Sequence, residues 1–151
     1  MTKNKQIKYE ENVHNVLSDD GISQIDLLNE NQLHTKFLEL QKISESKSWA
    51  KRIVYNETFA AHLICQKPGE TNRTHFHKDH DEWWVILSGE IKWWIEGEGV
   101  IFAKKGDIVF VSRGKQHKIK TIGEKNSFRL AISPPDIPHF HPEIDMAPND
   151  F

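Results

Sequence analysis

A chain of 151 residues with a net charge of −2, 37% hydrophobic content and one cysteine has room for one domain and one core. The near-neutral balance argues against a globally basic, polyanion-binding surface. Cys65 has no partner for an intramolecular disulfide, and no run is long and apolar enough to span a bilayer. The polar stretch Met1 to Leu17 lacks the apolar segment of a signal peptide, so the expectation is a cytoplasmic protein without membrane or nucleic-acid partners.

In chain order, residues 1 to about 21 are polar and charged, and read as a loose arm with a short strand around Val13 to Leu17. Between Asp26 and Trp49, Leu33, Phe37, Leu40 and Ile43 fall at helical spacing. That predicts one amphipathic helix over residues 31 to 48, capped by Asn31 or Asp26. The period then shortens to two. Thr58 to Gln66 reads as a strand, with Phe59, Ala61, Leu63 and Cys65 on one face and Ala60, His62, Ile64 and Gln66 on the other. Pro68-Gly69 ends it, and a histidine-rich segment follows.

Further strands are expected at Glu82 to Leu87, Ile91 to Glu96, Val100 to Ala103, Ile108 to Val111, His117 to Ile122 and Phe128 to Ser133, separated by glycine-containing turns. About eight short strands after one helix argue for an all-β sandwich or barrel rather than βαβ units. Beyond Ser133 the prolines Pro134, Pro135, Pro138, Pro142 and Pro148 bar a central strand. The division expected is an arm and helix over 1–57, a barrel over 58–133 and a Pro-rich tail over 134–151, all within one domain.

Nine histidines are present, and their spacing carries chemistry. His75 and His77, two apart, face one point if they lie on a strand. Glu82 opens the next strand and His117 a later one, so all four can converge inside a barrel. Imidazole with one carboxylate suits Fe, Mn, Ni, Co, Cu or Zn better than Ca or Mg. Four protein ligands leave two positions on an octahedral ion, enough for a chelating substrate or for substrate plus dioxygen.

Gly69, five residues, His75, one residue, His77, four residues, Glu82, six residues, Gly89 resembles the first motif of the cupin superfamily. Gly106, five residues, Ser112, one residue, Gly114, two residues, His117 resembles the second, and 16 residues separate Gly89 from Gly106. The resemblance covers roughly residues 58 to 133. Ser112 stands where cupins usually have proline and Thr121 where they often have asparagine, both supporting positions. The resemblance implies a double-sheet, jelly-roll type β-barrel, and that His75, His77, Glu82 and His117 correspond to the family's metal ligands. It leaves open dioxygenase, isomerase, lyase and decarboxylase chemistry, and plain ligand binding.

The expectation is one divalent transition metal per chain, iron first with manganese, nickel or zinc as alternatives, acting on a small oxygenated metabolite. His62 is a candidate acid/base or a structural residue, and Arg73 a carboxylate clamp or a surface arginine. His80 and Asp81 are rim residues or competing ligands for Glu82. Trp84 would wall the pocket. Trp83 and Trp94 would point outward, under the helix or into a homodimer interface. The Pro138-His139-Phe140-His141-Pro142 segment is either a lid over the barrel mouth or a disordered surface tail.

Overall fold

The computed structural model of the chain describes residues 7–26 and 29–151, the side chains of 13–15 excepted, so the reading of residues 1–6 as loose arm lies outside it. Elements run β1 (Ile7–Glu11), α1 (Val13–Asp19), β2 (Ser23–Gln24), α2 (Phe37–Leu40), β3 (Trp49–Tyr55), β4 (Ala60–Gln66) and β5 (Glu82–Ser88). Then follow β6 (Glu90–Ile95), β7 (Gly99–Lys104), β8 (Ile108–Val111), β9 (His117–Ile122), β10 (Ser127–Ser133) and β11 (His139–Pro142). The expected strands from residue 58 onward are all present within a residue or two. No helix of the described residues is long and apolar enough to cross a membrane.

A six-stranded sheet, β2-β3-β4-β10-β5-β8, faces a three-stranded sheet, β7-β6-β9. All pairings within them are antiparallel except β2 with β3. The fold is all-β and jelly-roll in type, although the two sheets do not close into one hydrogen-bonded barrel. Strand alternation sends Ile64, Trp84, Ile86 and Val109 from one sheet and Ile91, Trp93, Ile95 and Ile119 from the other into a common core. Ile91 and Trp93 are completely buried, each such side chain stabilising the fold by roughly 1.5–3 kcal/mol. Gly89, at φ +80°, makes the β5–β6 turn where an added Cβ would lie 2.7 Å from Ser127 Cα. Thr121 occupies its supporting position through a buried hydrogen bond with Ser127 Oγ at 2.7 Å.

Four local expectations are corrected. Residues Val13 to Leu17 belong to helix α1 rather than to a strand. Gly21 at φ +82° ends the helix, with the Ile22 N–H donating to the Leu17 carbonyl at 2.8 Å and the Gly21 N–H to the Ser18 carbonyl. This is the left-handed glycine cap that stops a helix.

The helix expected over 31–48 is the single turn α2. Only Phe37 and Leu40 of its stripe pack inward, against Trp49, Leu63, Cys65 and Phe128, while Leu33 and Leu38 stay exposed. Two anchors do not sustain a long helix. Asn31, instead of capping, takes φ 63° and ties the segment to β3, accepting from the Tyr55 N–H and donating to the Tyr55 carbonyl, both at 2.9 Å.

Strand β3 fills the stretch between the expected helix and the expected strand at Thr58, to which the sequence pattern assigns no element, and it joins the six-stranded sheet. Finally, the Pro-rich tail contains a strand. β11 pairs with β1, and Phe140 exchanges two backbone hydrogen bonds with Phe76 at 3.0 Å. Pro138 and Pro142 bracket this strand rather than interrupt it.

The tryptophan pairs split. Trp84 and Trp93 are interior, and Trp83 is 38% exposed on the outer face. Trp94 is buried, but under no helix: the last residues run along its sheet. Gln116 Nε2 donates to the Ile144 carbonyl at 3.2 Å, and the Lys92 ammonium sits 4.5 Å over the Phe151 ring.

Candidate metal centre

His75 and His77 leave the β4–β5 connection in extended backbone alongside β9. The His75 N–H donates to the His117 carbonyl at 3.2 Å and the His117 N–H returns to the His75 carbonyl at 2.9 Å. The Gly114 N–H, in the turn before β9, donates to the His77 carbonyl at 2.7 Å. Glu82 begins β5 opposite Val111. Three separate backbone tethers therefore aim four side chains at one point. Their donor atoms all lie within 4.8 Å of one another, with the three histidines buried.

The rings are oriented through their Nδ1 atoms. His75 Nδ1 donates to the Arg73 carbonyl at 3.1 Å, His117 Nδ1 to the Lys115 carbonyl at 3.1 Å and His77 Nδ1 to the Pro138 carbonyl at 3.0 Å. In His75 and His117 the bond places the ring proton on Nδ1 and leaves Nε2 as the lone-pair nitrogen, the arrangement that orients metal-bound imidazoles, whereas His77 also offers an Nε2 proton to the Glu82 carboxylate. His117 Nε2 is sealed from solvent with no hydrogen-bond partner, which is unfavourable for a buried acceptor unless something else binds it. Glu82 Oε1 stands 3.3 Å from His77 Nε2 and 3.7 Å from His117 Nε2.

Electrostatics agree with that use. Burial, helped by the neighbouring His117, His139 and His77, drives the His75 pKa well below the ordinary histidine range, so it stays neutral. Burial pushes Glu82 upward, but His77 and His117 outweigh it and hold the carboxyl well below its usual range. Burial also opposes charge on His77, yet the Glu82 carboxylate prevails and raises its pKa. One carboxylate and three imidazoles with converging Nε2 atoms fit a divalent transition metal, which would take the place of the proton between His77 and Glu82.

The register between Asp81 and Glu82 is settled in favour of Glu82. Asp81 turns away to Arg113, accepting its backbone N–H at 2.8 Å and its guanidinium at 3.2 Å. Trp84 lines the cavity beside the ligands and meets the His117 ring edge-on at 5.7 Å between centroids. His62 lines the same cavity. His80 lies in the turn before Glu82, half-buried and outside the cavity lining. Arg73 is not in the cavity either: it binds Asp20 at 2.7 Å, Glu11 at 2.8 Å and Tyr9 at 2.9 Å, and so pins the arm to the body.

Three cavity residues went unnoticed in the sequence. Asp20 lies just past α1. Asn72 takes the Ile119 N–H at 2.7 Å on its Oδ1. Arg129 was legible in principle as a charge at inward parity on β10. His139, anticipated only as a tail residue, is buried with its ring 4.8 Å from His75 and 4.5 Å from His77. Burial first, then the His77 charge, brings its pKa down to about 3. The tail is thus an ordered wall of the site, and His141 is anchored beside it, Nε2 donating to Glu11 Oε2 at 2.8 Å.

Residues 62–134 match the family model described as Cupin domain. No curated protein matches the sequence. Among solved structures, the fold is similar to an uncharacterized conserved protein with a double-stranded β-helix domain from Klebsiella pneumoniae, at 16% identity, covering 74% of this chain and 93% of that one with a TM-score of 0.63. A protein from Thermus thermophilus is similar at 19% identity over 69% of this chain and 98% of its own, TM-score 0.60. A predicted oxalate decarboxylase from Thermotoga maritima is similar at 23% identity over 56% and 77%, TM-score 0.52. At these identities the likeness is one of fold.

Proposed function

The chain is a member of the cupin superfamily, and on that premise we propose that it is a metal-dependent enzyme acting on a small oxygenated metabolite, a non-haem iron(II) dioxygenase. The observation that carries this reading is the cluster of His75, His77, Glu82 and His117, with donor atoms within 4.8 Å of one another beside a cavity. A divalent metal held by His75, His77, Glu82 and His117 would supply Lewis acidity and a place for substrate and dioxygen to meet. Insertion of both oxygen atoms into the substrate needs no separate reductant. The protein's own part is to hold three imidazoles by their Nδ1 atoms, to exclude water with Trp84 and Ile137, and to seat the substrate. Anaerobic iron loading followed by oxygen-uptake assays over catechols, thiols and diketones tests it, and no uptake across the panel would count against it.

A second reading has its own observation. His62, which is not a ligand, lines the same cavity and offers an imidazole that can carry a proton in metal-assisted isomerisation, lyase chemistry or decarboxylation. Turnover with Mn, Ni or Zn and no oxygen requirement selects it.

The working unit we propose is a homodimer. Trp83, Ile108 and Phe110 are 38%, 66% and 58% exposed on adjoining strands of one outer sheet face. Strand β8 is the edge of that sheet. An apolar face ending in a free edge is self-complementary about a two-fold axis. The buried, free Cys65 supports a cytoplasmic setting.

A further inference from the structure

Arg129 is the one cavity residue whose presence neither the metal ligands nor the packing explains. It projects from β10 into the interior, is 2% exposed, and lines the cavity that holds His75, Glu82 and Trp84. Its Nη1 donates to Gln66 Oε1 at 2.9 Å, and Gln66 is itself steadied by the Thr121 hydroxyl at 3.3 Å. Nε makes no hydrogen bond. The carboxylates nearest in the cavity are already engaged, Asp20 by Arg73 at 2.7 Å and Glu82 by His77 at 3.3 Å. Among the described residues, none forms an ion pair with Arg129.

Glu82 and Asp20 act on this guanidinium only through space, and a buried cation with no hydrogen-bonded counter-charge is strongly unfavourable. Burial brings its pKa down, but only to about 10, so the cation persists at neutral pH. Its planar fork matches a carboxylate through two parallel N–H bonds. The cavity mixes apolar wall from Leu17, Ile64, Trp84 and Ile119 with the polar groups already named, and is about 70 Å³, under half the ~150 Å³ of an engineered cavity that admits benzene.

We propose that Arg129 is the anion-recognising residue of this cavity, and that the substrate is a short carboxylate held at one end by its guanidinium while its other oxygens face the four metal ligands. The placement of the far end rests on the metal-enzyme reading given above; the anion subsite does not. This assigns to Arg129 the carboxylate clamp that the sequence offered to Arg73.

The test is calorimetric titration of the zinc-loaded full chain with malonate, acetate and acetamide, alongside elemental analysis of each preparation. Wild type binds malonate and acetate, and acetamide, the neutral analogue, does not compete. Arg129→Gln weakens malonate by about tenfold to a hundredfold, the range for one charge-assisted pair, with Arg129→Lys intermediate and zinc content unchanged in both. Acetamide binding as tightly as acetate in the wild type overturns the proposal without any variant. So does equal malonate affinity in Arg129→Gln. Zinc failing to load while malonate binding still depends on Arg129 sinks the metal-enzyme reading and leaves the anion subsite standing.

Discussion

Arg73 and Arg129 show what a single residue reveals and conceals in sequence. Arg73 sits two positions before His75, where alternation points it at the site, yet Asp20, Glu11 and Tyr9 capture it at the rim. Those partners lie more than 50 positions away in the chain, beyond any local pattern. The four ligands were legible because their spacing is set by strand geometry and tight turns, both local. His77 is the ligand to test first, since it is fixed by both the Pro138 and Gly114 tethers. His77→Ala should remove most bound metal, measured by elemental analysis after purification; full retention would show that the remaining three ligands suffice. Cys65 allows a cleaner test of burial. It is wholly enclosed, and burial pushes its thiol up to about 11. The native protein should therefore resist a thiol reagent at about pH 8 and react with one equivalent only after unfolding. Fast reaction in the native state would mean that the outer cluster around it opens readily.

At the scale of elements, alternating strands separated by glycine turns were readable because period two and left-handed glycines are local signals. The failures all came from segments whose conformation is decided elsewhere. Leu33, Phe37 and Leu40 have helical spacing, but Asn31 hydrogen-bonds to β3 and leaves only one helical turn. The tail reads as proline-broken, yet β1 and Phe76 give its four-residue strand partners on either side. That strand places the His139 ring beside His77, and the residue before it supplies the Pro138 carbonyl that orients His77. Removing residues 135–151 should weaken metal affinity by about 10- to 100-fold, the range for losing an outer partner of a ligating histidine. Chelator competition measures this, with circular dichroism to confirm retained strand content. Unchanged metal affinity and turnover would reduce the tail to a cover.

For the whole molecule, the six-stranded sheet is unevenly clothed. Ile25, Phe37 and Leu40 cover the half around Trp49 and Phe128, while among the described residues the half bearing Trp83, Ile108 and Phe110 is exposed. Light scattering should give twice the 17.6 kDa chain mass. The double change Ile108→Glu and Phe110→Glu should return the monomer mass with metal content intact, since both side chains point away from the core. A wild-type monomer at tens of micromolar would remove the dimer.

The clasp between β1 and β11 has a bearing on how the protein comes to be made. Glu11 and His141 are joined by a hydrogen bond across 130 positions of chain, and closing so long a loop is entropically expensive and slow. A nascent chain that has emerged as far as Ser133 already holds every candidate ligand and all the strands of the two facing sheets, but neither the Pro138 carbonyl nor the His139 wall. The sheets can therefore form during translation around a half-open basin, and the two ends shut over it afterwards. Until the ends shut, the four candidate ligands stand open to the surroundings, and a metal would have its freest access in that interval.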